Sequence, residues 1–361
     1  MSWNFRYNRA LEIRPDYAEA WYNRGNTLCD MARYDLAAQS YQRAIALRPG
    51  YPEANLNLAL LMLRLGNFHD GWKQLESRWL LREMKAAFRE FGRPLWLGDA
   101  PVAGKRVLLH AEQGLGDTIQ FCRYSREVAA LGATVILEVQ PPLVPLLKRL
   151  DGVSQIVAAG DPLPPFDLYC PLLSLPLAFG SFTQHQPSGA PYMSVDKKKK
   201  KKWAQWLGRK SRPRIGLVWS GNTKHVGDKR RSIDATVFFQ HLPQKLDYVC
   251  LQKELRPSDV DTVRQSGVLH CCDAMHDFSD TAALCSLMDL VISVDTSVAH
   301  LSAGLGVPTW IMLPFVPDFR WLLDRDDSPW YDSAKLFRQS TLGDWTSVME
   351  HICISLVNRY S

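Results

Sequence analysis

Asp295, Thr296, Ser297 and His300 are the residues whose type and spacing first suggest chemistry. They follow Leu290–Val294, a short β-branched apolar run that reads as a buried strand, and they open a helical segment over 298–305 that Gly304 and Gly306 close. Any of Asp295, Thr296 and Ser297 can cap that helix. Unsatisfied amides and the helix dipole favour an anion at such a start, so with His300 one turn in the stretch would suit a diphosphate. The same residues also read as an ordinary capped turn.

Two further polar turns follow strand-like runs. Residues 219–225 contain Ser220, Gly221 and Asn222 and run on to 228–232. Gly221 permits close backbone approach, and Lys224, His225, Lys229, Arg230 and Arg231 give a positive field, with Arg231 best suited to a bidentate grip on phosphate. A solvated basic loop is the other reading. Residues 113–117 supply Gly114 and Gly116 and put Asp117 at a helix start, where it faces a crevice or serves simply as an N-cap. This turn lacks the third glycine of a dinucleotide fingerprint and the Lys-Ser/Thr of a phosphate-binding loop, so neither label applies.

Strands alternating with helices must position these turns. Strand-like runs fall at Arg106–His110, Thr134–Val139, 153–157, 214–219, 248–251, Leu290–Val294 and 307–313, with helical segments at 118–131, 143–150, 203–207, 235–242, 281–288 and 345–357 between and after them. Such alternation predicts doubly wound parallel sheets, whose ligands bind at the carboxyl ends of the strands. The lysine run at 197–202 reads as the solvated start of a helix near a domain linker, and Asp259 and Asp261 read as solvated surface rather than a metal-binding pair. The aromatic and charged stretch 318–331 either walls a sugar or base pocket or braces the two α/β domains.

The first 90 residues differ in kind. Pro15 and Pro49 lie one 34-residue period apart, and Ala18-Glu-Ala-Trp21 aligns with Pro52-Glu-Ala-Asn55. Gly25, Tyr34, Ala37, Tyr41 and Ala44 alternate small and large residues, and Ala59, Gly66, Phe68, Gly71 and Leu75 repeat the pattern. This resembles the tetratricopeptide repeat, here beginning in mid-repeat, with the helical pattern carried on over 72–91. Asn23 and Asn57 occupy equivalent sites on successive first helices, where a ladder of amides could grip an extended peptide by its backbone, or each could bond a neighbouring repeat.

Composition sets bounds on all of this. With 361 residues, 46% hydrophobic and 22% charged, the chain has room for two or three globular domains. A net charge of +6 favours acidic small ligands without arguing for nucleic acid. The 8 cysteines lack metal-ligand spacing, and no apolar run reaches transmembrane length, which predicts a reduced, cytoplasmic setting.

Gly116-Asp117, Ser220 to Asn222, Arg231-Ser232, Asp280 to Ala283 and Asp295 to His300 together resemble the heptosyltransferase-related glycosyltransferases of GT-B fold (glycosyltransferase family 9). Repeats followed by such a domain resemble bacterial protein glycosyltransferases and, in layout, the O-GlcNAc transferases. The resemblance implies repeats over 1–90, an acceptor-side Rossmann-like domain over 91–202, a nucleotide-sugar domain over 203–340 and a C-terminal helix over 341–361. It implies Asp117 as catalytic base beside the Gly114 and Gly116 turn. Ser220, Asn222, Arg231, Gln252, Asp295, Thr296, Ser297 and His300 would bind the donor, with no metal or other cofactor. The chain departs from that group at Ser297, where the group carries glycine, and at Arg231, where it carries lysine. The implied activity is metal-independent, inverting transfer of a sugar to an acceptor, a protein hydroxyl held by the repeats. The alternative is a repeat scaffold whose GT-B part binds nucleotide sugar without turnover.

Overall fold

The computed structural model describes residues 3–225 and 227–360; residues 1–2 and 361, at the ends of the first and last predicted segments, and 226, in the basic turn, lie outside the described residues. The chain forms two compact units, the first of residues up to 93 with Pro176–Pro187 and Val316–Asp324, the second of Pro94–Leu175, Ser188–Phe315 and the remainder from Arg325.

The first unit is a stack of antiparallel helices: Trp3–Ile13, Ala18–Asp30, Tyr34–Leu47, Pro52–Arg64 and Phe68–Leu75. Its small residues are where helices touch. A side chain on Gly25 would lie 2.5 Å from the Tyr41 ring, and one on Gly71 would lie 2.7 Å from Leu63. Ala37, Ala44, Ala54 and Ala59 are wholly buried between the same helices. Pro52 opens its helix at a position where no amide partner is lost. The predicted continuous helix over 72–91 is corrected to three pieces: the helix ending at Leu75, a 3₁₀ turn Glu76–Leu80 and a short helix Arg82–Ala87. Buried Arg78 donates to the Leu75 carbonyl at 3.4 Å and to Glu76 at 2.5 Å, and Leu81 is extended, which breaks the α-helical ladder.

The second unit holds two parallel sheets. Strands β1 (Arg106–His110), β2 (Thr134–Val139), β3 (Val153–Ala158) and β4 (Leu168–Pro171) lie in the order β3-β2-β1-β4. Strands β5 (Arg214–Val218), β6 (Asp247–Cys250), β7 (Leu269–His270), β8 (Leu290–Val294), β9 (Thr309–Leu313) and β10 (Ala334–Arg338) lie in the order β10-β9-β8-β5-β6-β7. Read from β7, the second sheet is the Rossmann order, with its topological switch point between β5 and β8; the first reverses between β1 and β4. Every residue of β5, β8 and β9 is buried, as expected for strands covered on both faces. Ile215, Leu217, Ile292, Val294, Met312 and Phe337 form the core with Phe238 and the face of the Trp345–Tyr360 helix that carries Met349 and Ile352.

Three expectations in this unit are corrected. The helix predicted over 118–131 is two, Leu115–Phe121 and Tyr124–Ala130, because the Arg123 guanidinium bonds the Gln120 carbonyl at 2.8 Å and competes with the ladder. The helix predicted over 203–207 begins earlier, at Lys197, and is capped by Asp196; its lysines are exposed as expected except Lys199, which bonds Asp277 and Asp280 at 2.9 Å each. Asp259 is buried rather than solvated, accepting a 2.8 Å bond from the Trp219 indole.

Candidate donor site at the switch points

The turns after β1, β5 and β8 leave the carboxyl ends of strands at the two switch points. After β8, Thr296 is the N-cap of the helix Ser297–Gly304, yet its hydroxyl makes no cap bond. It shares a 3.1 Å hydrogen bond with Ser293 instead. The amides of the first helical turn are therefore uncapped by that side chain, the arrangement that favours an anion. His300, 5% exposed, sits one turn in, with Nδ1 2.9 Å from the Tyr331 hydroxyl and Nε2 3.8 Å from Asp295 Oδ1.

After β5, the basic residues separate by role. Lys224, His225, Lys229 and Arg230 are exposed, whereas Arg231 turns inward and donates from Nη1 to the Asp295 carbonyl at 2.9 Å. Its Nε is buried and has no hydrogen-bond partner. Gly221 makes room for this guanidinium, since a side chain there would lie 2.8 to 3.0 Å from Nη2, Nε and Cζ. Ser220 and Gln252 satisfy each other: Gln252 accepts from the Trp219 and Ser220 amides at 2.7 and 2.9 Å and donates to the Ser220 hydroxyl at 3.1 Å. They hold the turn's shape. Asn222 is exposed and folds back on the Lys224 amide at 2.9 Å.

After β1, Gly114 is the N-cap of Leu115–Phe121, and Asp117 stands at the third helical position. Its carboxylate accepts from the Gly114 amide at 2.9 Å, the returning half of a capping box, and it offsets the dipole of this helix. Gly116 lies directly against the other helix start. A side chain on it would come 3.2 Å from His300 Cδ2 and 3.5 Å from Ser297 Cα. The structure thus brings together Asp117's turn, Ser297, His300, Asp295 and Arg231, and leaves Asn222 at the rim.

Asn23 and Asn57 belong to the first unit. Asn57 donates to Asn26 Oδ1 of the preceding helix pair at 2.8 Å, a bond to a neighbouring repeat. Asn23 accepts at its backbone carbonyl from Thr27. The stretch 318–331 divides: Phe319 meets Trp72 edge-on at 5.9 Å within the first unit, while Trp330 and Tyr331 belong to the second.

Sequence reasoning passed over Arg123 and Tyr192 and flagged Tyr331 only within a dense segment. Arg123, 6% exposed, donates to the Trp330 and Ser188 carbonyls at 2.8 and 3.2 Å, and its charge lies 4.4 Å from the Tyr192 ring centre and 4.7 Å from that of Tyr331. An arginine inside an amphipathic helical pattern gives no sign of such burial.

A helical repeat array followed by two parallel α/β sheets is the class that fold and site define, and it is similar to the GT-B glycosyltransferases. Residues 18–51 match the family model of the tetratricopeptide repeat. The structure of a family 9 glycosyl transferase from Veillonella parvula superposes with a TM-score of 0.52 at 10% identity, over 73% of this chain and 98% of that one. Heptosyltransferase II, the ADP-heptose lipopolysaccharide enzyme of E. coli, gives a TM-score of 0.46 at 12% identity, over 70% and 99% of the two chains. Among curated proteins, FlbA of Caulobacter vibrioides is 23% identical over 97% of this chain, which spans 63% of FlbA's length. Among the described residues no helix is long and apolar enough to cross a membrane.

Proposed function

We propose that the chain is a glycosyltransferase that moves a sugar from a nucleoside-diphosphate donor to an acceptor hydroxyl. The observation that carries the reading is the meeting of Gly116 with Ser297 and His300. It sets a carboxylate-bearing turn against an uncapped helix start that is flanked by an arginine with an unused N–H. In the proposed reaction the donor's diphosphate lies on the Ser297 and Val298 amides, neutralised by His300 and Arg231. The acceptor oxygen attacks the anomeric carbon from the side of Asp117, which takes the hydroxyl proton. The bond to the diphosphate breaks with its electron pair leaving on phosphate oxygen. One displacement inverts the anomeric centre and uses no metal. Ser220 and Gln252 act by fixing the turn that carries Arg231. The matching repeat supports a protein as the acceptor.

Nucleotide binding tests the site. Arg231→Ala and His300→Ala should each weaken a nucleoside diphosphate by about 1.5–3 kcal/mol in calorimetry, the worth of a charge-assisted hydrogen bond. Unchanged affinity in both variants would place the diphosphate elsewhere.

A further inference from the structure

Of three consecutive basic residues, Lys229, Arg230 and Arg231, the last alone turns inward, and one turn of helix accounts for it. The helix Asp228–Arg231 advances about 100° per residue, which puts Asp228, Arg231 and Ser232 on one face and Lys229 and Arg230 on the other. Asp228 and Ser232 are 4% and 9% exposed, so the face they share is the buried one. Both are tied to the segment that follows β6. Arg256 Nη2 donates to Asp228 Oδ2 at 2.5 Å and to Ser232 Oγ at 2.8 Å. The single hydrogen of the Ser232 hydroxyl goes to Asp228 Oδ1 at 2.8 Å, since an ionised carboxylate offers none. Its two lone pairs then receive Arg256 and, at 3.0 Å, the Gly221 amide. That hydroxyl is fully used, and it joins both ends of the short helix to the turn after β5.

We propose that Arg256, Asp228 and Ser232 are positioning residues of the donor site: they clamp the helix Asp228–Arg231 at both ends, so that Arg231 leaves the backbone toward the Asp295 carbonyl. That this serves a diphosphate rests on the function proposed above. The clamp sets the direction in which the Arg231 side chain starts, and Gly221 supplies the space into which it runs. Arg231 Nη1 then reaches the Asp295 carbonyl at 2.9 Å, two residues before the Ser297 helix start. The pair Arg256 and Asp228 is largely withdrawn from water, with side chains 27% and 6% exposed, and it supplies the stiffness that a lone four-residue helix lacks. Arg256 touches no donor atom in this scheme and acts only through Arg231.

Nitrogen-15 spectra of arginine-labelled full-length chain read the direction of Arg231 without any ligand, its Nε–H signal being assigned by loss in Arg231→Ala. Because Nε is buried, that hydrogen should exchange slowly with solvent in the wild type and fast in Ser232→Ala and Arg256→Met. Calorimetry with ADP, UDP, GDP and CDP reads the consequence. Both variants should weaken the tightest of the four about fivefold. Neither should weaken it further when added to Arg231→Ala, because the clamp acts through that arginine alone. Arg256→Met strips buried Asp228 of its cation; should it not fold, Ser232→Ala keeps the ion pair and decides by itself. A freely exchanging Nε–H in the wild type overturns the proposal. So does an Nε–H or an affinity unchanged in Ser232→Ala, or a further loss of affinity in the Arg231→Ala background. A slow Nε–H that Ser232→Ala releases, in a chain that binds none of the four nucleotides, leaves the positioning role standing and overturns the diphosphate reading instead.

Discussion

Gly221 and Arg231 share one small volume, and that makes a sharp test of where the arginine acts. A methyl at 221 would fall within 2.8 Å of the guanidinium, whose long side chain can swing away without disturbing the sheet. Gly221→Ala should therefore leave the melting temperature nearly unchanged while weakening nucleoside diphosphate binding as Arg231→Ala does. The double variant should bind no worse than Arg231→Ala, because both changes remove the same contact. Additive losses in calorimetry would mean Gly221 serves the ligand directly. At this scale the candidate site was partly legible. Asp295 to His300, Arg231 and Asp117 stand out because each polar turn interrupts apolar strands. Ser220 and Gln252 were expected to bind the donor from the family resemblance, yet each is bonded to the other, a pairing across 32 positions that spacing does not reveal. Arg123 and Tyr192 stayed hidden because hydrogen bonds from side chains to distant backbone carbonyls leave no periodic trace.

Among the elements, the helix Lys197–Leu207 is held by a charged knot. Lys199 bonds both Asp277 and Asp280, and the Trp203 indole donates to Asp280 at 3.0 Å. Burial raises the two carboxyls, but Lys199 and the surrounding N–H and O–H donors outweigh it and hold both below the ordinary carboxylate range. Their contribution to stability is complete above the unfolded value, near 3.9, and is lost as pH falls through the lower folded values. Lys199→Met should cost about 3 kcal/mol in urea unfolding at pH 7, because it leaves Asp280, 1% exposed, without its cation. The same variant should lose less stability than wild type between pH 6 and pH 3. An equal acid loss in both chains would assign the effect to other carboxylates. The elements themselves were legible where periodicity rules: β1, β2 and β8 fall at their predicted bounds. They were illegible where side chains cut the backbone ladder, at Arg78 and Arg123, and where strands are very short or marginal. β4 has four residues in proline-rich sequence, β7 has two, and β10 lies at a sheet edge with Lys335 exposed.

At the level of the whole chain, the repeats and the α/β unit make separate contributions that can be pulled apart. Asn57 bonds the preceding repeat, so Asn57→Ala should cost about 1 kcal/mol of stability. Asn23 has no such role, and Asn23→Ala should lower modification of a protein acceptor while donor hydrolysis and melting stay unchanged. Equal loss of transfer and hydrolysis in Asn23→Ala would deny the repeats a part in holding the acceptor. The central claim is catalysis at Asp117, and the direct measurement is turnover of a nucleotide-sugar panel by wild-type chain and Asp117→Asn, with donor affinity measured alongside. The wild type should release nucleoside diphosphate, Asp117→Asn should be slower by about 10²- to 10⁴-fold, and donor affinity should be near-equal in the two. Full activity in Asp117→Asn, or a wild type that binds donor and never turns it over, would contradict it.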